Sequence, residues 1–200
     1  MINITKFGNF SNFEKNKNKK QIILCNSFRW SNQYLNSLKY RNNENYKKVP
    51  NYLITRSGEI VGLMPDDCYS NFFSDSEINK NSIIISLENL GWLKKVPLSE
   101  DYYSWINEKN SGEVIERKWR EKIYWQKYTD EQLDSLTELC KKLTKKFSIS
   151  KSFIGHNTKV DGIKIFNGIV CRSNYSNKYT DPSPSFNFEE FKNRIEDERN

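Results

Sequence analysis

Asn81 to Asn89, NSIIISLEN, is the stretch on which the fold turns. Three consecutive isoleucines followed two residues later by a leucine leave no alternation of polar and apolar positions. A run this short and this rich in β-branched residues predicts a central strand covered on both faces. On its N-terminal side, NYLITRSGEIVGLM (Asn51 to Met64) carries two strand-like runs joined by Arg56-Ser57-Gly58, a tight-turn signal that predicts a hairpin. Gln21 to Asn26 (QIILCN) predicts a further buried strand, followed by a short helix over Ser31 to Tyr40 with Trp30, Tyr34, Leu35 and Leu38 on one side. Residues 1–20, rich in Asn and Lys without a sustained period, read as a loosely held polar arm.

On the C-terminal side, Leu90 to Trp125 reads as an irregular stretch of about 35 residues holding Trp92, Trp105, Trp119 and Trp125, longer than an ordinary loop. Two readings stand: an insertion stapled to the domain by its tryptophans, or a wall of a carbohydrate or peptide cleft. Thr129-Asp130-Glu131-Gln132 is a capping box, and Leu133, Leu136, Leu139, Cys140, Leu143 and Phe147 follow at helical spacing. Phe153 to His156 reads as a short strand, and a glycine-dotted polar stretch runs from there to Tyr179. Asn187 caps a last helix with Phe188, Phe191 and Ile195 facing inward.

The bulk properties bound this picture. Two hundred residues with 36% hydrophobic and 14% aromatic content suit one domain. No stretch approaches the roughly 18–20 apolar residues of a membrane span, and the first residues lack the apolar core of a signal peptide, so synthesis in a cytosol is expected. Cys25, Cys68, Cys140 and Cys171 are widely spaced without a CxxC pair, which indicates neither a zinc ribbon nor a disulfide framework. The net charge of +7 favours anionic partners, but the basic residues fall in four scattered clusters mixed with polar and acidic ones, and no specific nucleic-acid binding is expected. The sequence carries no signal for an oligomeric state.

The single histidine, His156, ends a predicted strand, and Asp181 precedes a proline in a later loop. Imidazole and carboxylate both suit zinc. As residue types alone this is a weak signal, since a lone histidine is more often a packed or surface residue than a ligand.

The order of elements adds to this. NYLITRSGEI, NSIIISLEN, YTDEQLDSL, FIGHNTK and DPSPSFNFEEF follow one another as do the hairpin, central strand, capped helix, "GH" strand end and "DPGPxF" loop of the phage amidase lysozymes and peptidoglycan recognition proteins. The chain resembles that N-acetylmuramoyl-L-alanine amidase family from about Gln21 to Ile195. The resemblance implies a single α/β domain over 21–200, with a central mixed β-sheet flanked by helices and an aromatic-rich insertion at about 90–125. It also implies a peptidoglycan hydrolase, of endolysin type and bacteriophage origin, that cleaves the amide between N-acetylmuramic acid and L-alanine with one zinc ion. Such a protein acts on the bacterial cell wall after release or travels in a virion.

Residue by residue, the resemblance puts His156 on the family's second histidine, Asp181 on its carboxylate ligand and Cys25 in place of its first histidine. Cysteine thiolate also binds zinc, so Cys25 reads either as a third ligand or as a packed core residue. The family's glutamate falls at Ser86, with Glu88 two residues on and on the same strand face; Glu88 is a candidate base or a capping carboxylate. Its tyrosine falls at Pro50, with Tyr52 two residues on as an assisting or structural phenol. Its lysine falls at Tyr179, beside Lys178. These departures keep open an alternative in which the fold is retained by a non-catalytic peptidoglycan-binding or virion structural protein.

Overall fold

The computed structural model describes residues 4–6, 13–41 and 48–197. Its elements in chain order begin with β1 (Ile4–Lys6), β2 (Glu14–Lys15), β3 (Gln21–Asn26), α1 (Ser31–Arg41), β4 (Tyr52–Ile54), β5 (Ile60–Gly62), β6 (Cys68–Tyr69) and α2 (Ser76–Asn81). They continue with β7 (Ser82–Leu87), β8 (Trp92–Lys95), β9 (Tyr102–Ser104), β10 (Val114–Trp119), β11 (Lys122–Gln126), α3 (Asp130–Phe147), β12 (Gly168–Cys171) and α4 (Phe188–Glu196).

Ile83, Ile84 and Ile85 on β7 are all buried, as an apolar run without alternation requires. The strand lies inside a six-stranded sheet of order β1-β5-β4-β7-β3-β12, in which only the β4–β5 pair is antiparallel. That pair is the expected hairpin, and Gly58 takes φ 81° in its turn, where a side chain would be strained. Residues alternate between the two faces. Ile22, Leu24, Ile83 and Ile85 pack under α3 (Leu136, Leu139, Leu143) and α4 (Phe191, Ile195). Ile23, Cys25, Ile84 and Val170 point to the opposite side, against Phe73, Ile78 and Ile163. Each fully buried aliphatic side chain contributes on the order of 1.5–3 kcal/mol relative to exposure. The central mixed sheet with flanking helices is therefore as the sequence predicts. No helix among the described residues is long and apolar enough to cross a membrane.

Helix α3 begins at the expected capping box: Thr129 Oγ1 accepts from the Gln132 amide at 3.2 Å and Gln132 returns to the Thr129 amide at 3.2 Å. Helix α4 starts at Asn187, whose side chain accepts from the Glu190 amide at 3.2 Å.

Three segments differ from the reading of the sequence. The 90–125 stretch is a second, regular sheet, antiparallel in the order β10-β11-β8-β9. Its strands carry charges and aromatics on both faces, which hides the period-2 signal, and it closes over Trp125, buried with its Nε1 donating to the Arg117 carbonyl at 2.7 Å. Phe153 makes only an isolated bridge to Ile169; the edge strand of the main sheet is β12, inside the stretch read as polar loop. The described parts of the N-terminal arm are paired, β1 with β5 and β2 with β6. Lys19 anchors the arm by donating to the carbonyls of Cys68, Lys80 and Ser82 at 3.1–3.2 Å.

Candidate functional site at the ends of the parallel strands

Strands β7, β3 and β12 run parallel, so their C-terminal ends open on one edge of the sheet, the place where α/β proteins put ligands. Cys25 and Asn26 end β3, and Cys25 pairs in register with Ser86 of β7. On the other flank Cys171 pairs with Leu24, which brings the next residue, Arg172, level with Cys25. Arg172 also continues the face that carries Val170, and it opens a short 3-10 turn. Asp181 returns to this edge from the following loop.

Asp181 is fully buried and wholly engaged. Its Oδ1 accepts from Arg172 Nε at 2.9 Å and lies in ion-pair contact with Nη2 at 2.8 Å, and its Oδ2 accepts from the Asn26 amide at 2.9 Å. The Arg172 side chain is 18% exposed, lies 4.6 Å from the Tyr179 ring centroid and 5.5 Å from that of Phe28, and so sits between two aromatic faces. Burial pushes Asp181 above the usual carboxylate range, with Arg172 and the Asn26 amide pulling against it. Burial works against the charge on Arg172 too, and its neighbours, Asp181 foremost, together more than offset it, so the guanidinium stays charged. Nearby Tyr128, buried, donates to Asn26 Oδ1 at 2.7 Å and accepts from the Ser183 amide at 3.0 Å, which fixes the loop after Asp181 to the end of β3. The β10–β11 turn closes over the same loop, where Arg120 donates to the carbonyls of Asn177 (2.9 Å) and Tyr179.

Of the metal-ligand candidates, Cys25 and Asp181 meet at this edge and His156 does not join them. Cys25 is fully buried, its thiol donates to the Ile85 carbonyl at 3.5 Å, and burial pushes it up to about 12 against the pull of Arg172. His156 is exposed, and its Nδ1 lies 2.9 Å from Thr158 Oγ1. Among the described residues no group of three His, Cys, Asp or Glu side chains is placed to hold a metal ion. The residues present do not fit a zinc ion: the carboxylate already has a cation, the thiol is held protonated in the core, and the imidazole is elsewhere.

Of the proton-transfer candidates, Glu88 and Tyr52 are equally committed. Glu88, 6% exposed, accepts from the Ser31 amide at 2.6 Å and the Arg56 amide at 2.8 Å, so its carboxylate starts α1 and clamps the hairpin turn. Tyr52 points to the α3 side of the sheet, away from Cys25; its hydroxyl donates to Asp66, and burial raises its pKa. Lys178 is exposed on the loop before Asp181. The residue that sequence reasoning missed is Arg172. Its signal was the apolar run Gly168-Ile169-Val170-Cys171, which marks a strand whose end it occupies.

A family model described as N-acetylmuramoyl-L-alanine amidase matches residues 15–182. No curated protein sequence matches the chain. Solved structures similar to it include the N-acetylmuramoyl-L-alanine amidase LysC from Clostridium intestinale URNW, with TM-score 0.59, 12% identity and 98% of each chain covered. The amidase AmiD from E. coli, solved with the substrate anhydro-N-acetylmuramic acid-L-Ala-D-gamma-Glu-L-Lys, gives TM-score 0.54 and 14% identity over 93% of this chain and 60% of that one. The Drosophila peptidoglycan recognition protein SD gives TM-score 0.53 and 10% identity over 94% and 92%. At these identities the likeness carries the fold.

Proposed function

Because the chain belongs to the N-acetylmuramoyl-L-alanine amidase family, whose model spans residues 15–182, we propose that its target is bacterial peptidoglycan, at the unit where N-acetylmuramic acid is joined to L-alanine. The family match is the observation that carries this reading, and it supports hydrolysis of that amide. A muropeptide of the kind held by AmiD is the ligand class we assign to the edge where β3, β7 and β12 end. On this reading the protein meets the cell wall as an endolysin released from an infected cell or as part of a bacteriophage virion.

Zinc-assisted hydrolysis through Cys25, His156 and Asp181, with Glu88, Tyr52 or Lys178 assisting, asks for side chains of which Cys25, His156, Asp181, Glu88 and Tyr52 hold other partners in this chain. A second reading, retention of the muropeptide without zinc hydrolysis, is favoured by the pairing of Asp181 with Arg172. The two part on product. Purified sacculi incubated with the protein are expected to pull it down. Hydrolysis adds free L-alanine amino groups without new reducing sugar ends; retention alone adds neither. Reducing ends would point instead to a glycosidase, which needs a pair of acidic groups across a cleft. Protein left in the supernatant with the wall unchanged would overturn the target assignment.

A further inference from the structure

The strand-end edge holds a cation, an anion and a thiol together; backbone register places Cys25 and Arg172, and a hydrogen bond to the Asn26 amide places Asp181. Cys25 is the last side chain on its face of β3. Arg172 lies level with it across the β3–β12 pair, and Asp181 is tied to the amide of Asn26, the very next residue of β3. The three positions therefore converge from two adjacent strand ends and one loop. Two of the three bear side chains unsuited to a metal: a guanidinium cannot lose its proton to become a ligand, and the thiol lies wholly within the core.

The charge bookkeeping of this shell is closed without an added ion. Asp181, fully buried, needs a counter-charge, and Arg172 supplies it through one Nε hydrogen bond and an Nη2 ion-pair contact on the same oxygen. The two flanking rings and the Asn26 amide fix the pair from the remaining sides. A divalent cation arriving at Asp181 would have to displace a partly buried guanidinium, and it would find the Cys25 sulfur buried in the core and turned to the Ile85 carbonyl.

We infer that Arg172 is the resident cation of this site, holding Asp181 in the place of a metal ion, so that the chain binds no zinc there and the residues at positions 25 and 172 alone separate it from a zinc-binding protein. The inference builds on the family assignment only for the expectation of zinc; the geometry is that of this chain. Arg172 is then a positioning residue. Through Asp181 it sets the loop that runs on to Ser183, which Tyr128 ties to the end of β3.

The test measures zinc rather than activity. Wild type, Arg172→His, the double variant Cys25→His/Arg172→His, and that double variant with Asp181→Asn are equilibrated with zinc chloride, desalted and analysed for metal. Wild type is expected to retain none, and its melting temperature is expected to be the same with zinc as with chelator. The double variant, with two imidazoles and a carboxylate converging, is expected to retain about one zinc per chain, and Asp181→Asn to abolish that uptake. Wild type that retains stoichiometric zinc, or melts higher with it, overturns the inference. So does a folded double variant that retains none. Should the double variant not fold, the two wild-type measurements still decide. No arm uses peptidoglycan, so failure of the target assignment would leave this result standing.

Discussion

Replacing Arg172 by methionine keeps much of the aliphatic stem between Phe28 and Tyr179 but removes the cation from Asp181, leaving a fully buried carboxylate with only backbone amides, those of Asn26 and of Asp181 itself, as donors. Breaking a buried pair by removing one partner costs about 3–5 kcal/mol, because the surviving charge is stranded in low dielectric. For a domain of this size each kcal/mol lowers Tm by about 2–4 °C, so a fall of roughly 6–20 °C is expected. Asp181→Asn strands the guanidinium instead and is expected to cost a similar amount. The double variant Arg172→Met/Asp181→Asn strands neither charge, and its loss should fall short of the sum of the single losses by about 2 kcal/mol or more. The pH dependence has a definite sign. Burial already holds the Asp181 carboxyl above its ordinary range. Without Arg172 it rises further, so the folded variant binds a proton that the unfolded chain releases, and its stability falls as pH rises through that window. The deficit against wild type should therefore shrink as pH drops from 7 toward about 4, the ordinary carboxylate range. Thermal unfolding of the four proteins across that pH range is the assay. Single variants within about 1 kcal/mol of wild type, or strictly additive losses, would refute the reasoning.

Other positions offer independent checks. Glu88→Gln replaces charge-assisted hydrogen bonds to the Ser31 and Arg56 amides by neutral ones and is expected to cost about 1–2 kcal/mol in denaturant melts; an unchanged midpoint would count against its role as a clamp. Gly58→Ala puts a Cβ 2.8 Å from the Glu131 carbonyl oxygen at φ 81°, and a loss of about 1–3 kcal/mol is expected, with a neutral result arguing against the turn geometry. Trp125→Ala empties the centre of the second sheet and should cost about 3–5 kcal/mol. Limited proteolysis should then cut first between residues 92 and 126, and cleavage elsewhere first would mean that this sheet is not held by Trp125.

How far the sequence could be read follows from where its signals lie. The β4–β5 hairpin, β7 and α3 were legible because each carries a local signature: a Gly turn, an isoleucine run, a capping box with leucines behind it. The second sheet was not, since β10 (VIERKW) mixes charge with apolar residues and its burial rests on cross-strand aromatics such as Trp119 on Trp125. The site was half legible. Cys25 lies in the predicted strand QIILCN and Asp181 opens the DPSPSF loop, and the fold brings both to one edge of the sheet. His156 drew the eye because it is the chain's one histidine, yet it follows a single bridge rather than a strand. Arg172 has no motif of its own, and its role appears only when parallel pairing of β12 with β3 sets it level with Cys25.

The central claim is that an arginine fills the place of a metal ion at the strand-end site, and crystals of the wild-type protein grown with zinc test it most directly. Diffraction on either side of the zinc absorption edge is predicted to show no anomalous peak between Cys25 and Asp181, with the Arg172 guanidinium on the Asp181 carboxylate. A zinc peak held by Asp181 and the Cys25 sulfur, with Arg172 turned away, would contradict the account.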